Sequence, residues 1–329
     1  MVAPLKQIIQ MKKILLILCV AVAFSSCKQF KQGEGDMFYK IHEDEDGPTV
    51  KDGDFIVFKF IQKTEGDSVL YNSSDYDRPA MTVKQKPGFK GDMFTAIGML
   101  SEGDSATFKI NIDSLVNKLG MPKPENVKGK YMLYTFKIDK VIPKGKLNDA
   151  DFQAKVEEFV KAEGEKAKSG EAAKIKNYLD KEDLKPKTTA SGLNYVITKE
   201  AKGGVIAKPG DTVEVNYTGR FLTGKVFDTS IQEVAKKSGT FMAQRPYQPI
   251  KIPVGVGSGI IQGWEEALLL LPKGTKATLI LPSKLAYGEQ GSAPTIQPYT
   301  PLVFDIDIVN IIPAKGGAAA PQSAPPAGK

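Results

Sequence analysis

What the sequence lacks narrows it first. Two cysteines, one histidine and one tryptophan are spread over 329 residues. Cys19 lies inside an apolar N-terminal run and Cys27 just beyond it, so a mature chain beginning at Cys27 keeps a single thiol. An intramolecular disulfide, a zinc cluster and thiol catalysis are then excluded. His42, the lone histidine, sits in an acidic stretch and reads as a solvated strand-end residue. A multi-histidine metal site is impossible, a His-based triad has no support, and no metal or other cofactor is expected. No apolar run reaches the ~20 residues that span a bilayer. Charge of one sign is not concentrated either. The formal charge of +7 comes from interleaved basic and acidic residues, with no basic stripe carrying stacking aromatics, so nucleic acid is not an expected partner.

The N-terminus has the layout of an export signal. Met11-Lys12-Lys13 is followed by the apolar run Ile14–Phe24 and then Ser25-Ser26-Cys27. An ordinary secretory signal would be cut near Ser26. Small residues directly before a cysteine, with the polar Lys28–Gln32 after it, favour a lipoprotein signal over residues 1–26, with lipid on Cys27 and a tether over 27–34. Met1–Gln10 reads as an upstream extension, which makes Met11 a candidate start. The expected location is the bacterial cell envelope, lipid-anchored at a periplasmic or outer-membrane face. At the other end, residues 315–329 are Ala, Pro, Gly and Ser-rich and read as a disordered tail.

Between these ends the chain repeats itself. Gly53-Asp54 opens an apolar strand, and Gly210-Asp211 opens another. Gly66–Ser74 answers Gly224–Ser230, Ala96–Phe108 answers Ala267–Leu279, and Tyr134–Ile138 answers Phe304–Ile308. Four matched segments in one order point to two copies of one domain, expected at 35–144 and 188–314. Each copy reads as an antiparallel twisted sheet wrapped on a short helix, which makes the fold class α+β. Residues 145–187 form a helical linker. Phe152, Val156, Phe159 and Val160 share one helix face, capped by Asn148 or Asp149. Ser169-Gly170 is expected to interrupt it, with Ile175, Tyr178 and Leu179 forming a second, shorter face. The linker reads as a spacer docked on a neighbouring domain or, alternatively, as a homodimerisation arm.

The second copy carries six motifs in order. They are Tyr217-Thr-Gly219, Phe227-Asp228-Thr-Ser230, Val254-Gly255-Val-Gly257, Ile260–Glu266 around Trp264, Ala286-Tyr287-Gly288 and Leu302–Asp305. From about Ser191 to Ile312 the chain resembles the FKBP-type peptidyl-prolyl cis-trans isomerases. The resemblance implies a catalytic set of Asp228, Tyr287, Trp264 and Phe227, and a substrate-binding set of Tyr217, Ile250, Ile260, Ile261, Ile296 and Phe304. Trp264 would be the floor beneath the proline ring, with Phe227 and Phe304 as walls. The Ile261 N–H and the Tyr287 hydroxyl would donate to substrate carbonyls, and Asp228 would accept from the Tyr217 hydroxyl. Implied partners are Pro-containing unfolded or exported polypeptides.

Physical chemistry supports the same reading. Rotation about an X–Pro bond breaks amide resonance, a barrier of about 18–20 kcal/mol. The twisted amide is less dipolar than the planar one, so an apolar, water-poor pocket favours it without acid, nucleophile or metal. Each aromatic alone reads as core packing, and their joint appearance with Asp228 and two tyrosines points to a pocket instead.

Departures from the family pattern are also expected to matter. Ile250 stands where the family commonly has an aromatic, the Gly257-Ser258-Gly259 loop is one residue longer, and Ser292 and Thr295 replace larger residues. Ile231–Gln248 is an insertion, partly helical over Glu233–Lys237, expected at the pocket rim. In the first copy Phe60 stands for Tyr217, Asn72 for Asp228 and Met93 for Trp264, and nothing matches Ala-Tyr287-Gly. That copy reads as an inactive domain used for binding or positioning. The competing function is a non-catalytic holdase chaperone or assembly subunit.

Overall fold

The computed structural model describes residues 29–314 except 77, 123–126, 128 and 256–258. The signal segment, Cys27, the 315–329 tail and Gly257-Ser258 lie outside the described residues. The chain groups into two compact units. One takes in residues up to Ser74 and Arg78–Glu157; the other takes in Asp75–Asp77 and the chain from Glu158 onward.

In the first unit the strands are β1 Lys31–Gln32, β2 Phe38–Glu43, β3 Phe55–Thr64, β4 Val69–Asn72, β5 Ala80–Val83, β6 Ser105–Asn111 and β7 Tyr131–Ile142. They pair antiparallel in the order β1-β2-β6-β7-β3-β4, with β5 also on β3. Ile56, Phe58, Phe108, Ile110, Phe136 and Ile138 point to one face and bury Ala96 and Ile97 of helix α1 (Met93–Ile97) beneath them. Period-two alternation makes this possible, since every second side chain along a strand shares a face. Helix α2 (Ile112–Leu119) follows β6.

The second unit repeats that plan. Its strands are β8 Lys187–Thr188, β9 Asn194–Lys199, β10 Thr212–Phe221, β11 Val226–Thr229, β12 Ile250–Pro253, β13 Lys276–Leu281 and β14 Leu302–Ile312. The order is β11-β10-β14-β13-β9-β8 with β12 on β10, which is the first sheet read from the other edge. β10 alternates strictly, burying Val213, Val215, Tyr217, Gly219 and Phe221. Those side chains meet Trp264, Ala267 and Leu268 of helix α5 (Gln262–Leu270). Gly263 lets α5 lie directly on β13, because a Cβ there would overlap the Leu281 side chain. Both units are therefore α+β, each a twisted antiparallel sheet packed on one short helix.

Small details repeat as well as large ones. Asp54 accepts the N–H groups of Lys51 and Lys144, at 2.8 and 2.9 Å, tying the turn before β3 to the residue just past β7. Asp211 does the same for Lys208 and Ala314, at 2.8 and 3.0 Å, tying the turn before β10 to the chain beyond β14.

The linker differs from expectation. Helix α3 runs unbroken from Asp149 to Lys181, through Ser169-Gly170. A helical glycine costs only about 1 kcal/mol against alanine, and the Ser169 hydroxyl donates back to the Lys166 carbonyl at 3.1 Å instead of capping a new helix. Asn148 is the N-cap, its side chain accepting from the Asp151 N–H at 2.9 Å. The stretch of α3 in the second unit is docked on that unit's sheet. Ile175 and Tyr178 bury Ile280 and Val303 on the face opposite α5, with Leu179 packed alongside. The Arg220 guanidinium donates to the Tyr178 hydroxyl at 2.6 Å and to the Asp305 carboxylate at 3.2 Å. The apolar face of Ile175, Tyr178 and Leu179 is thus used within the chain.

His42 also gains a partner. It is exposed near the end of β2, but its Nε2 lies 2.7 Å from the Thr107 hydroxyl.

Candidate active site

The aromatic residues expected at the site meet around Trp264. The Tyr217 ring stands edge-on to the indole at 5.2 Å between centroids, and Phe304 does the same at 5.3 Å. Phe227 meets Phe304 edge-on at 5.7 Å and leans on Phe221 at 5.2 Å. Edge-to-face contacts of this kind add about 0.5–1.5 kcal/mol beyond area burial and hold the rings at fixed angles. Ile250, Ile260 and Ile261 pack against the same cluster half-buried, and Ile296 is buried in it. Tyr217, Phe227, Ile250, Ile260, Ile261, Trp264, Ile296 and Phe304 therefore lie in one cluster, and Asp228 joins it through the Tyr217 hydroxyl. Cys27, like Gly257 and Ser258, lies outside the described residues.

Gly219 makes the arrangement possible. A Cβ at this position would sit 2.7–2.8 Å from ring atoms of Phe227 and Phe304. The two rings occupy the space that any larger residue would fill.

The Trp264 N–H is buried and has no acceptor among the described residues. Such a group destabilises a core by about 1–3 kcal/mol, so a tryptophan selected for packing alone is a poor choice here.

A polar network closes one side. The Tyr217 hydroxyl donates to Asp228 Oδ2, and the Thr229 N–H donates to Oδ1 at 2.9 Å. Arg245 Nη1 donates to Asp228 Oδ1 and its Nη2 donates to the Tyr217 hydroxyl at 3.0 Å. Burial, then the neighbouring Asp228 carboxylate, raises the Tyr217 pKa well above its ordinary value, so the hydroxyl stays a donor at any physiological pH. The hydrogen bond to Asp228 chiefly raises the Arg245 pKa and fixes its charge. Tyr287 is 37% exposed, and its pKa is raised by partial burial and by the Asp228 charge. Its hydroxyl makes no hydrogen bond with the described residues and is available to a ligand.

Arg245 was not singled out from the sequence. It belongs to the Ile231–Gln248 insertion, where helix α4 (Gln232–Ser238) is followed by a loop braced by the stacked rings of Phe241 and Tyr247, 5.5 Å apart. One signal was available: the chain has only three arginines among its many lysines, and a half-buried Asp228 needs a cation. The insertion does contribute a rim, and Arg245 is the residue that joins it to the site.

The register of the two sheets corrects one pairing. Tyr217 pairs with Ile306 and Gly219 with Asp228; in the first unit Phe60 pairs with Phe136 and Gln62 with Tyr71. The Tyr217 N–H donates to the Ser230 hydroxyl and the Phe60 N–H to the Ser73 hydroxyl, each at 2.9 Å. Ser73 thus stands for Ser230, and the residue in the place of Asp228 is Tyr71, not Asn72. The turns leading into β4 and β11 are equally long, from Thr64 to Val69 and from Phe221 to Val226, and the sequence match, which set Gly66 against Gly224, slipped by one. Tyr71 stacks on Phe60 at 4.6 Å, and Gln62 occupies the place of Gly219, its amide donating to the Tyr134 hydroxyl at 3.3 Å. At these positions the first unit thus has a stacked ring and an amide where the second has a carboxylate and a glycine covered by Phe227 and Phe304.

Known proteins resemble the chain over this unit and beyond. Residues 203–309 match the family model for FKBP-type peptidyl-prolyl cis-trans isomerase. The FKBP-type peptidyl-prolyl cis-trans isomerase FkpA of Escherichia coli O6:H1 is 30% identical over 257 residues, 75% of this chain and 86% of that protein. A probable FkpA of Neisseria meningitidis serogroup B is 39% identical over 173 residues, 53% of this chain and about half the length (54%) of that relative. Among solved structures, the crystal structure of FkpA from Escherichia coli has a TM-score of 0.40 at 34% identity, covering 52% of this chain and 76% of that one. The chain belongs to the FKBP-type peptidyl-prolyl cis-trans isomerases.

Proposed function

We propose that the second unit isomerises X–Pro bonds in exported polypeptides, and that Cys27 carries a lipid holding the protein in the bacterial cell envelope. The observation that carries the catalytic part is the set Trp264, Phe227, Phe304 and Gly219 beside the Tyr217–Asp228–Arg245 network. The proline ring lies over the indole between the two phenylalanines. Its imide carbonyl leaves water for a surface of low polarity, which disfavours the planar, more dipolar amide more than the twisted one. The Tyr287 hydroxyl and the Ile261 N–H donate to flanking substrate carbonyls and hold the chain on either side of the rotating bond. Asp228, held by three donors, keeps the polar edge of the pocket fixed.

No helix among the described residues is long and apolar enough to cross a membrane. The attachment proposed is the lipid at Cys27. The measurement is lipid labelling: wild type incorporates label and Cys27→Ser does not, and a labelled, membrane-bound Cys27→Ser chain would end the anchor reading. For the isomerase, the test is acceleration of cis/trans exchange in a short Pro-containing peptide. A folded wild-type chain with no acceleration would sink it. The first unit is proposed as a binding module for the same polypeptides, supported by its intact sheet and the exposed Val69 and Leu70 on β4, 56% and 46% accessible. Deleting residues 35–144 should abolish suppression of client aggregation while sparing peptide isomerisation.

A further inference from the structure

The linker helix reaches the turn that carries Tyr287. On α3, Gly164, Lys168, Glu171, Ile175 and Tyr178 fall on one face, at intervals of three and four residues. Gly164 and Lys168 lie against the Tyr299 ring, with the Lys168 ammonium 5.7 Å from its centroid. Ile175 and Tyr178 are buried on the sheet. Between these contacts Glu171 accepts two hydrogen bonds from one residue: the Ser283 N–H at Oε1 and the Ser283 hydroxyl, at 2.9 Å, at Oε2. All of these residues belong to the second unit.

Ser283 is 2% exposed and opens the single 3-10 turn Ser283–Leu285. The residue before it is a proline, which has no N–H to give. The Ser283 carbonyl accepts from both sides of Tyr287: the Ala286 N–H at 2.8 Å and the Gly288 N–H at 2.8 Å. The Gly288 carbonyl in turn accepts from the Tyr299 N–H at 2.8 Å. One buried serine therefore sets the backbone on either side of Tyr287, and Glu171 binds that serine through both groups that could let it rotate. A carboxylate accepting two donors is among the stronger hydrogen-bonded arrangements available to a partly buried turn.

We infer that Glu171 is a positioning residue for Tyr287, so that the linker helix is a working part of the isomerase site. The inference rests on the isomerase reading of that site. It separates two roles for α3, a mere spacer and a brace whose one side chain aims a substrate donor.

The experiment uses the full chain and a short Pro-containing peptide. Glu171→Ala should lower kcat/KM about fivefold, the rate equivalent of losing one ordinary hydrogen bond. Glu171→Gln should stay within about twofold of wild type, because an amide can accept the N–H and donate to the hydroxyl. In a Tyr287→Phe background, Glu171→Ala should have no further effect, since the pair would act through one hydroxyl. A second readout does not depend on activity: amide exchange at Ala286 and Gly288 should quicken in Glu171→Ala while exchange at Ile280 and Val303 stays unchanged. Wild-type rates in Glu171→Ala, an equal loss on top of Tyr287→Phe, or unchanged exchange at Ala286 and Gly288 would each overturn the proposal. An inactive wild type would instead overturn the isomerase reading, leaving the exchange measurement to decide the role of Glu171.

Discussion

The two units share a strand order, a register, a helix and even the carboxylate that ties each sheet's ends, yet among the described residues the second gathers Tyr217 and Phe304 edge-on around an indole and the first does not. The difference lies in four places. Gly219, Asp228, Tyr217 and Trp264 in the second unit stand where the first has Gln62, Tyr71, Phe60 and Met93. None of the four is needed to fold the sheet, since the first unit folds without them. In the first unit rings stack on rings, Phe60 on Tyr71 and on Phe136.

That contrast can be broken by moving residues between the copies. The largest effect is expected from Gly219→Gln, which installs the first unit's residue where even a Cβ meets two rings. Isomerase activity should fall by a hundredfold or so, with about 1–3 kcal/mol lost in urea unfolding from overpacking. Trp264→Met should follow, lowering kcat/KM by about tenfold through the thinner pocket floor, while the circular dichroism spectrum stays that of wild type. Arg245→Ala should be milder, about threefold, because Asp228 keeps its bonds from Tyr217 and Thr229, and the loss should shrink further at high salt.

The smallest effect concerns pH. Burial raises the pKa of Tyr217 and Tyr287 above the ordinary 10.0, so the folded state keeps protons that the unfolded chain releases. Their contribution to stability is complete below the unfolded value and declines as pH rises past it. Unfolding of the second unit followed by fluorescence of its single tryptophan should be flat from neutral pH upward and weaken only in the alkaline range. Tyr217→Phe should make that alkaline decline shallower. A decline beginning near neutral pH would mean that another group controls it.

Much of this was legible in the chain itself. The repeat and the α+β class follow from local patterns, the alternation along β10 and the glycines at turns, while the site residues were implied by the resemblance of six motifs to the family. What escaped depended on distance. Arg245 reaches back to Asp228 from inside the insertion, 17 positions further along the chain, with no motif of its own. The Glu171–Ser283 contact spans 112 residues, and no periodicity in α3 marks a glutamate among several as the one that docks. The slip between Asn72 and Tyr71 arose because a strand can be displaced by one residue while its composition looks the same. Only pairing partners resolve it. The unbroken α3 was hidden by Ser169-Gly170, a pair whose modest penalty is outweighed by the packing of Ile175 and Tyr178 on Ile280 and Val303.

The aspartates at the head of each sheet carry a consequence of their own. Asp54 and Asp211 each bind, with one carboxylate, the chain just before their central strand and the chain just after the last one. That central body of each sheet is consequently a closed loop of chain, entered and left at a single latch. The ends of such a segment are held together by the fold itself, while β2 and β9 join their sheets from outside it. Tandem duplication then requires no new fold, only a connector, and a copy freed of its catalytic duty can lose its pocket while its latch keeps it folded.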